Sequence, residues 1–371
     1  MSNLAKEEVE RYHRQILLKE FGPEAQEKLK ASKVLVVGAG GLGSPLLLYL
    51  AGAGIGTIGV VDGDKVETIN LHRQVIHTTP NTNKAQSAKD SISSLNPLVT
   101  CNAYPFHLTA QNSQSIIPHY DVLVIATDNV PSRYLVSDLG VYYNKPVVSA
   151  SALRWEGQLM VLSPSPCYRC YFPIATPRKA WTRASDVGVL GPVPGVLGTL
   201  QAIEVIKLIL SIPAFSSKML MYDALLCKFR EFKMRDKDPN CVACSQKINP
   251  HEYDYEAFIG EEEKVEEMPS KQVTSEELEK LLATNNVLVL DLRNTNHFKV
   301  DHIQGSQNVN LHEIEGYTEL YSSNKPLVLV CKEGKDSAKA VGLLAKKGLE
   351  ASYLRGGLVS WQETHSEFLM F

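Results

Sequence analysis

The chain of 371 residues predicts an α/β protein in two parts, a larger domain built on a mostly parallel sheet and a smaller α/β domain behind it. Three observations carry this. The β-branched run KVLVV leads straight into GAGGLGS and then into the apolar stretch PLLLYLAGA, the strand–turn–helix order of a parallel unit. Further strand-length apolar runs, TIGVVD, DVLVIATDN and KPLVLV, alternate with helical stretches. Between the two parts lies GEEEKVEEMPSKQ, glutamate-rich and free of aromatic residues, which reads as a solvated linker. The expected boundaries are a first domain over residues 1–255, the linker over 256–270 and a second domain over 271–371.

In the first unit Gly38, Gly40 and Gly43 form a G-x-G-x-x-G run, with Gly41 inside it. Residues without a Cβ let backbone N–H groups approach a phosphate, and the following helix, opened by Ser44 and Pro45, adds the positive end of its dipole. The next strand ends at Asp62, about twenty residues beyond the last glycine, where a Rossmann-type unit places the acid that accepts from ribose hydroxyls. To this point a dehydrogenase fits as well. The polar groups that follow decide against it: Asp64, Asn70, Arg73, Lys84, and then Asp128 and Asn129 at the end of DVLVIATDN. Nicotinamide needs an apolar shelf, whereas Arg73 and Lys84 beside an acid supply cations for a triphosphate and a carboxylate for Mg²⁺. The nucleotide is therefore read as ATP. Each of these charges taken alone would be an ordinary solvated residue; their order is the signal.

VVSASALRWEGQLMVL reads as a sheet strand, followed by Cys167-x-x-Cys170 and, roughly seventy residues later, by Cys241-x-x-Cys244. Two such pairs close a tetrahedral Zn²⁺ site of four thiolates with no open position, which makes it structural. A disulfide framework and a redox pair are the alternatives, and the cytosolic character of the composition counts against both. Cys101 and Cys227 read as buried, inert thiols. GVLGPVPGVLGTLQAIEVIKLIL reads as a loop bearing glycine and proline that enters a buried helix over Gln201 to Leu210. The uncharged stretch from Val34 to Val61 is long enough for a membrane span, but its glycines and Pro45 divide it into strand, helix and strand.

RYHRQ near the start, GAGGLGS, D-x-D, N-x-x-R-Q and the T-D-N strand end together resemble the adenylating enzymes of the MoeB and ThiF family, over roughly the first two-thirds of the chain. The resemblance implies activation of the C-terminal glycine of a ubiquitin-like sulfur carrier as an acyl-adenylate, with release of pyrophosphate. It further implies that Asp62 holds the ribose, that Asn70, Arg73 and Lys84 hold the phosphates, and that Asp128 holds Mg²⁺. Arg14, in RYHRQ, would reach the ATP site of a facing subunit, so a homodimer is implied. The family's zinc site matches the four cysteines. One departure stands out: Ala184 occupies the position of the cysteine those enzymes commonly carry, beside a different neighbour, Arg183, so no thioester-linked carrier is expected on the adenylation domain.

In the second domain Thr274 and Glu277 form a capping box that opens a helix. Cys331 follows KPLVLV and precedes KEGKDS, after which SAKAVGLLAKKGLE reads as an amphipathic helix ended by Gly348. A thiol between a strand end and a helix N-terminus faces backbone N–H groups, and Lys332 and Lys335 add positive charge, conditions that favour a thiolate or persulfide anion. The bland alternative is a cysteine that only packs. LDLRNTNHFKVDHIQGSQNVNL, CKEGKDS and YLRGGLVSW resemble the rhodanese domain, with Cys331 on the persulfide-bearing position. Asp301, Gln304 and Asp336 stand where that family usually has Gly, Pro and Arg.

A hydrophobic content of 44% is that of an ordinary soluble protein with real cores, and a net charge of −3 without basic clusters argues against nucleic acid as the main partner; no membrane partner is expected. The ten histidines are scattered, without metal spacing, and none is assigned a role. The expected whole is a cytoplasmic, ATP-dependent adenylyltransferase with a sulfurtransferase domain, of the molybdopterin-synthase-activating type, in which sulfur from a cysteine desulfurase or thiosulfate passes through Cys331. Two alternatives compete: a sulfurtransferase with a silent nucleotide domain, and a non-catalytic scaffold that binds the carrier. Only the first reading requires carrier-dependent pyrophosphate release.

Overall fold

The structure, a computed structural model, describes residues 3–162, 164–176, 187–260, 271–311, 313–317 and 325–368. The chain divides into two compact units, Met1–Glu262 and Glu263–Phe371.

The first unit opens with helices α1 (Lys6–Ile16) and α2 (Gly22–Ala31), followed by β1 (Lys33–Val37), α3 (Gly43–Ala53), β2 (Thr57–Val61), α4 (Lys84–Leu95), β3 (Thr100–Tyr104), the short α5 (Ala110–Ser113), β4 (Val122–Ile125), α6 (Val130–Tyr142) and β5 (Val147–Leu153). It continues through β6 (Glu156–Leu162), the single turn α7 (Tyr168–Tyr171), α8 (Pro192–Ile209), β7 (Lys218–Asp223), β8 (Lys228–Lys233) and α9 (Tyr255–Ile259). Its eight strands lie in the order β3-β2-β1-β4-β5-β6-β7-β8. The pairs among β3, β2, β1, β4 and β5 are parallel, and those from β5 to β8 antiparallel. The chain leaves β1 for β2 on one side and later returns to place β4 on the other. The sheet therefore has a switch point between β1 and β4, the position where open α/β sheets hold their ligands. The central strands are buried on both faces: Val34, Val36, Val122 and Val124 belong to one core, Leu35, Val37, Leu123 and Ile125 to the other.

Two expectations of local structure are corrected. VVSASALRWEGQLMVL is two strands, not one: β5 and β6 pair antiparallel from Leu153↔Glu156 to Val147↔Leu162 across the two-residue turn Arg154-Trp155. Arg154 takes φ 54° there, a left-handed turn without the glycine or asparagine that marks one in sequence. Likewise, the loop expected before Gln201 is already helix, since α8 begins at Pro192. Prolines in the first turn remove only N–H groups that have no intrahelical acceptor. Gly198 is required by packing, because a Cβ there would lie 2.2 Å from the Leu42 carbonyl oxygen beside α3. By length and mean hydropathy (1.3) α8 could cross a membrane, but Val193, Leu197, Ala202 and Val205 are buried in the first core.

The second unit contains β9 (Lys271–Val273), α10 (Ser275–Ala283), β10 (Leu288–Asp291), α11 (Thr295–Val300), β11 (Gln307–Asn308), β12 (Leu327–Val330), α12 (Lys335–Ala345), β13 (Ser352–Leu354) and α13 (Gly357–Thr364). The expected capping box of Thr274 and Glu277 is present in both halves. The five strands are all parallel in the order β11-β10-β12-β13-β9, which sets a second switch point between β10 and β12. Cys331 follows β12 directly at that point.

Candidate active site

The loops after β1, β2 and β4 converge on a cleft of about 380 Å³ at the first switch point. Gly38, Gly40, Gly41, Asp62, Asn70, Arg73, Lys84 and Asp128 all line it. Gly43 and Asn129 do not, among the residues that line the cleft. Each has a local contact: a Cβ on Gly43 would sit 2.2 Å from the Gly38 carbonyl oxygen, and Asn129 caps α6 by accepting from Ser132 N at 3.3 Å. Gly38 itself takes φ +102°, and a Cβ there would lie 2.7 Å from the Ala126 carbonyl oxygen. The fingerprint thus fastens the β1 loop against β4 as much as it clears room for a phosphate. Arg14, on α1, is exposed and is not among the residues that line this cleft.

The polar groups are cross-linked. Asp62 accepts from Ala39 N at 2.8 Å through one oxygen and from Asp64 N at 2.9 Å through the other, leaving lone pairs on both for ribose hydroxyls. Lys84, nearly enclosed at the start of α4, reaches Asp64 at 3.0 Å. Asn83 caps that helix and donates to the carbonyls of Asp62 and Asp64 at 3.0 and 3.1 Å. Arg73 donates to Asn70 Oδ1 at 2.7 Å. Burial lowers the Arg73 pKa from its usual range, and the charges of Asp128 and Glu67 oppose that shift. Gln74 and Arg133 also line the cleft, and each has a buried side-chain atom, Gln74 Oε1 and Arg133 Nε, with no partner among the described residues. Sequence reasoning assigned no role to Asp64, Gln74 or Arg133. The D-x-D and R-Q patterns held a signal for the first two, and Arg133, one helical turn after the cap residue Asn129, held a weaker one.

The four cysteine sulfurs, all buried, lie within 4.8 Å of one another. The separations are 4.0 Å for Cys167 to Cys170, 3.5 Å for Cys167 to Cys241 and 3.4 Å for Cys170 to Cys244. Zinc–sulfur bonds of about 2.3 Å imply a tetrahedral edge of about 3.8 Å, so the donor set fits one Zn²⁺ with no fifth position. Burial and the neighbouring thiols push Cys170 up to about 11, a cost that a bound cation removes. Of the remaining thiols, Cys101 is buried and pushed up to about 12 by desolvation, an inert group as expected. Cys227 corrects the expectation: it is exposed, in the turn between β7 and β8 at φ 49°.

In the second unit Cys331 is buried, and its Sγ accepts from Ser337 N at 3.3 Å and lies 3.3 Å from Ser337 Oγ at the start of α12. Leu358 and Val359 N–H groups, from the first turn of α13, hold the carbonyls of Cys331 and Lys332 at 2.9 and 3.1 Å. A Cβ on Gly357 would meet the Cys331 carbonyl oxygen at 2.5 Å, so the two segments close tightly around the thiol. Asp336 is exposed, and Asp301 offers its backbone carbonyl to Arg293 at 2.7 Å. Arg183 and Ala184 lie outside the described residues.

Residues 12–243 match the model of the ThiF family. The chain belongs to that family. Residues 274–364 match the rhodanese-like domain. The adenylyltransferase and sulfurtransferase MOCS3-1 of Zea mays is 41% identical over 377 residues, covering 95% of this chain and 81% of its own. MOCS3 of Culex quinquefasciatus, named for the same two activities, is 40% identical over 388 residues, 97% of this chain and 89% of its own. Among solved structures, E. coli MccB with ATP has a TM-score of 0.55 at 24% identity, covering 63% of this chain and 73% of that one, a likeness of fold. The ThiF part is an adenylation domain, which implies the use of ATP. The chain is thus an adenylyltransferase that carries a sulfurtransferase domain.

Proposed function

We propose that the chain adenylates the C-terminal glycine of a ubiquitin-like sulfur-carrier protein and then converts it to a thiocarboxylate with sulfur carried on Cys331. One observation carries this reading: a cleft lined by Gly40, Gly41, Asp62, Arg73, Lys84 and Asp128 stands in the same chain as a thiol cradled at a parallel-sheet switch point. The carrier carboxylate attacks the α-phosphorus of ATP and pyrophosphate leaves. Arg73 and Lys84 offset the charge of the phosphates, Asp62 orients the ribose, and Asp128 is the carboxylate suited to Mg²⁺. Asn70 serves through its 2.7 Å bond to Arg73, which fixes the guanidinium. The terminal sulfur of a Cys331 persulfide then attacks the acyl carbon, AMP leaves, and an acyl disulfide forms. Two equivalents of a thiol reductant release the thiocarboxylate and restore the Cys331 thiol.

The persulfide comes from a cysteine desulfurase or from thiosulfate, the chain works in the cytoplasm, and it acts as a homodimer in which Arg14 completes the neighbouring site. The four cysteines hold a structural zinc ion. The test is ATP–pyrophosphate exchange with a carrier ending in Gly-Gly: exchange that needs the carrier supports the reading, and exchange without it, or none, opposes it.

A further inference from the structure

His77 is one of the histidines to which the sequence assigns no role, and it is 4% exposed, directly beneath the glycine loop. Its Nε2 lies 2.8 Å from the Ala39 carbonyl oxygen and its Nδ1 lies 3.0 Å from Ser87 Oγ. A carbonyl only accepts, so Nε2 carries the hydrogen. Burial lowers the His77 pKa and keeps the ring neutral, which leaves Nδ1 bare and makes the Ser87 hydroxyl the donor to it. The polarity of the chain Ser87 → His77 → Ala39 is therefore fixed.

Its consequence lies one bond further on. The only cis peptide bond among the described residues is Ser165-Pro166, so the Ala39–Gly40 peptide is trans, with its carbonyl and its N–H pointing in opposite directions. Because His77 holds the carbonyl on the buried side, the Gly40 N–H faces the side on which Gly40 and Gly41 line the cleft. Among the described residues the Gly40 and Gly41 N–H groups have no protein acceptor. On the other side of the same residue, Asp62 holds the Ala39 N–H. Ser87 belongs to α4, the helix whose first residue is Lys84.

We propose that His77 is a positioning residue for adenylation: it sets the Ala39–Gly40 peptide so that the Gly40 N–H is presented to the nucleotide phosphates, and through Ser87 it ties that peptide to the helix carrying Lys84. This rests on the reading of the cleft as the ATP site. A residue that merely filled space beneath the loop would be replaceable by any side chain of similar volume. A positioning donor is replaceable only by another donor at the same point.

The test is direct titration of the full chain with ATP, alongside the KM for ATP in carrier-dependent exchange and the transfer of sulfur through Cys331. His77→Met keeps the bulk and removes the donor; His77→Gln places an amide N–H near the Nε2 position; Ser87→Ala leaves the ring but frees its orientation. The expected result is a rise of tenfold or more in the ATP Kd and KM for His77→Met, recovery to within about threefold for His77→Gln, a rise of about threefold for Ser87→Ala, and unchanged sulfur transfer in all three. Should His77→Met fail to fold, His77→Gln and Ser87→Ala decide. Wild-type ATP affinity in a folded His77→Met, or equal weakening in His77→Met and His77→Gln, would overturn the inference. Absence of ATP binding in the unsubstituted chain would instead remove the reading of the cleft itself.

Discussion

Arg169, which lies between the two thiols of the first cysteine pair, donates Nε and Nη2 hydrogen bonds to Asp138 on α6 at 3.0 and 2.8 Å, and both side chains are shut away from water, at 2% and 0% exposure. The guanidinium is boxed in by aromatic rings, 4.1 Å from Phe258 and 4.6 Å from Tyr253, and Tyr255 donates to the same Asp138 oxygen at 2.8 Å. Three parts of the chain, α6, the cysteine turn and the segment around α9, are thus pinned to one buried ion pair. The same contacts keep α9 in the first unit, past residue 255.

Removing one partner leaves an unpaired buried charge. Asp138→Leu is expected to destabilise the first unit by about 3–5 kcal/mol, because the guanidinium loses its carboxylate partner while remaining enclosed. The joint change Asp138→Leu with Arg169→Met is expected to recover part of the loss. Thermal unfolding of the single and double variants checks this.

The cysteine cluster gives a prediction of a different kind. Cys244→Ser is expected to release zinc and lower the melting temperature, and a strong chelator is expected to do the same to the unsubstituted protein, since metal binding at a closed thiolate site is folding free energy. Metal analysis with parallel thermal melts checks it; a chain purified without zinc and equally stable in chelator would contradict it.

In the nucleotide cleft Asp128 is exposed and Arg73 half-buried, so their removal separates chemistry from folding. Asp128→Ala and Arg73→Ala are each expected to lower carrier-dependent pyrophosphate exchange by a hundredfold or more, with the melting temperature nearly unchanged. Wild-type exchange in both variants would contradict the assignment.

Much of this site was legible because its signals are local. Gly38 to Gly43, Asp62 and the D-N strand end sit at fixed distances along the chain, and the backbone physics that demands them is the same wherever it occurs. The four cysteines were legible for the same reason, two residues of spacing within each pair. What escaped the sequence depends on contacts between distant residues or on unmarked backbone geometry. His77 meets Ala39 from 38 positions away, and Arg169 meets Asp138 across 31. The β5–β6 turn was missed because Arg154 adopts a left-handed conformation that arginine rarely takes. The first turns of α8 were missed because Pro192 and Pro194 break helices everywhere except where they stand.

The two chemistries should separate by variant. Cys331→Ala is expected to abolish sulfur transfer from thiosulfate and leave pyrophosphate exchange at the wild-type rate, because the thiol takes no part in forming the adenylate. Ser337→Ala, which loses the hydroxyl 3.3 Å from Cys331 Sγ but keeps the backbone donor, is expected to slow sulfur transfer only modestly. Side-by-side assays of the two activities check both variants.

The most direct measurement is the intact mass of the carrier. The chain is incubated with Mg²⁺, a sulfur donor, a thiol reductant and a carrier ending in Gly-Gly, with and without ATP. The account predicts a gain of about 16 Da, sulfur in place of oxygen, that requires both ATP and Cys331. A carrier that gains sulfur without ATP, or that gains it equally with Cys331→Ala, would contradict it.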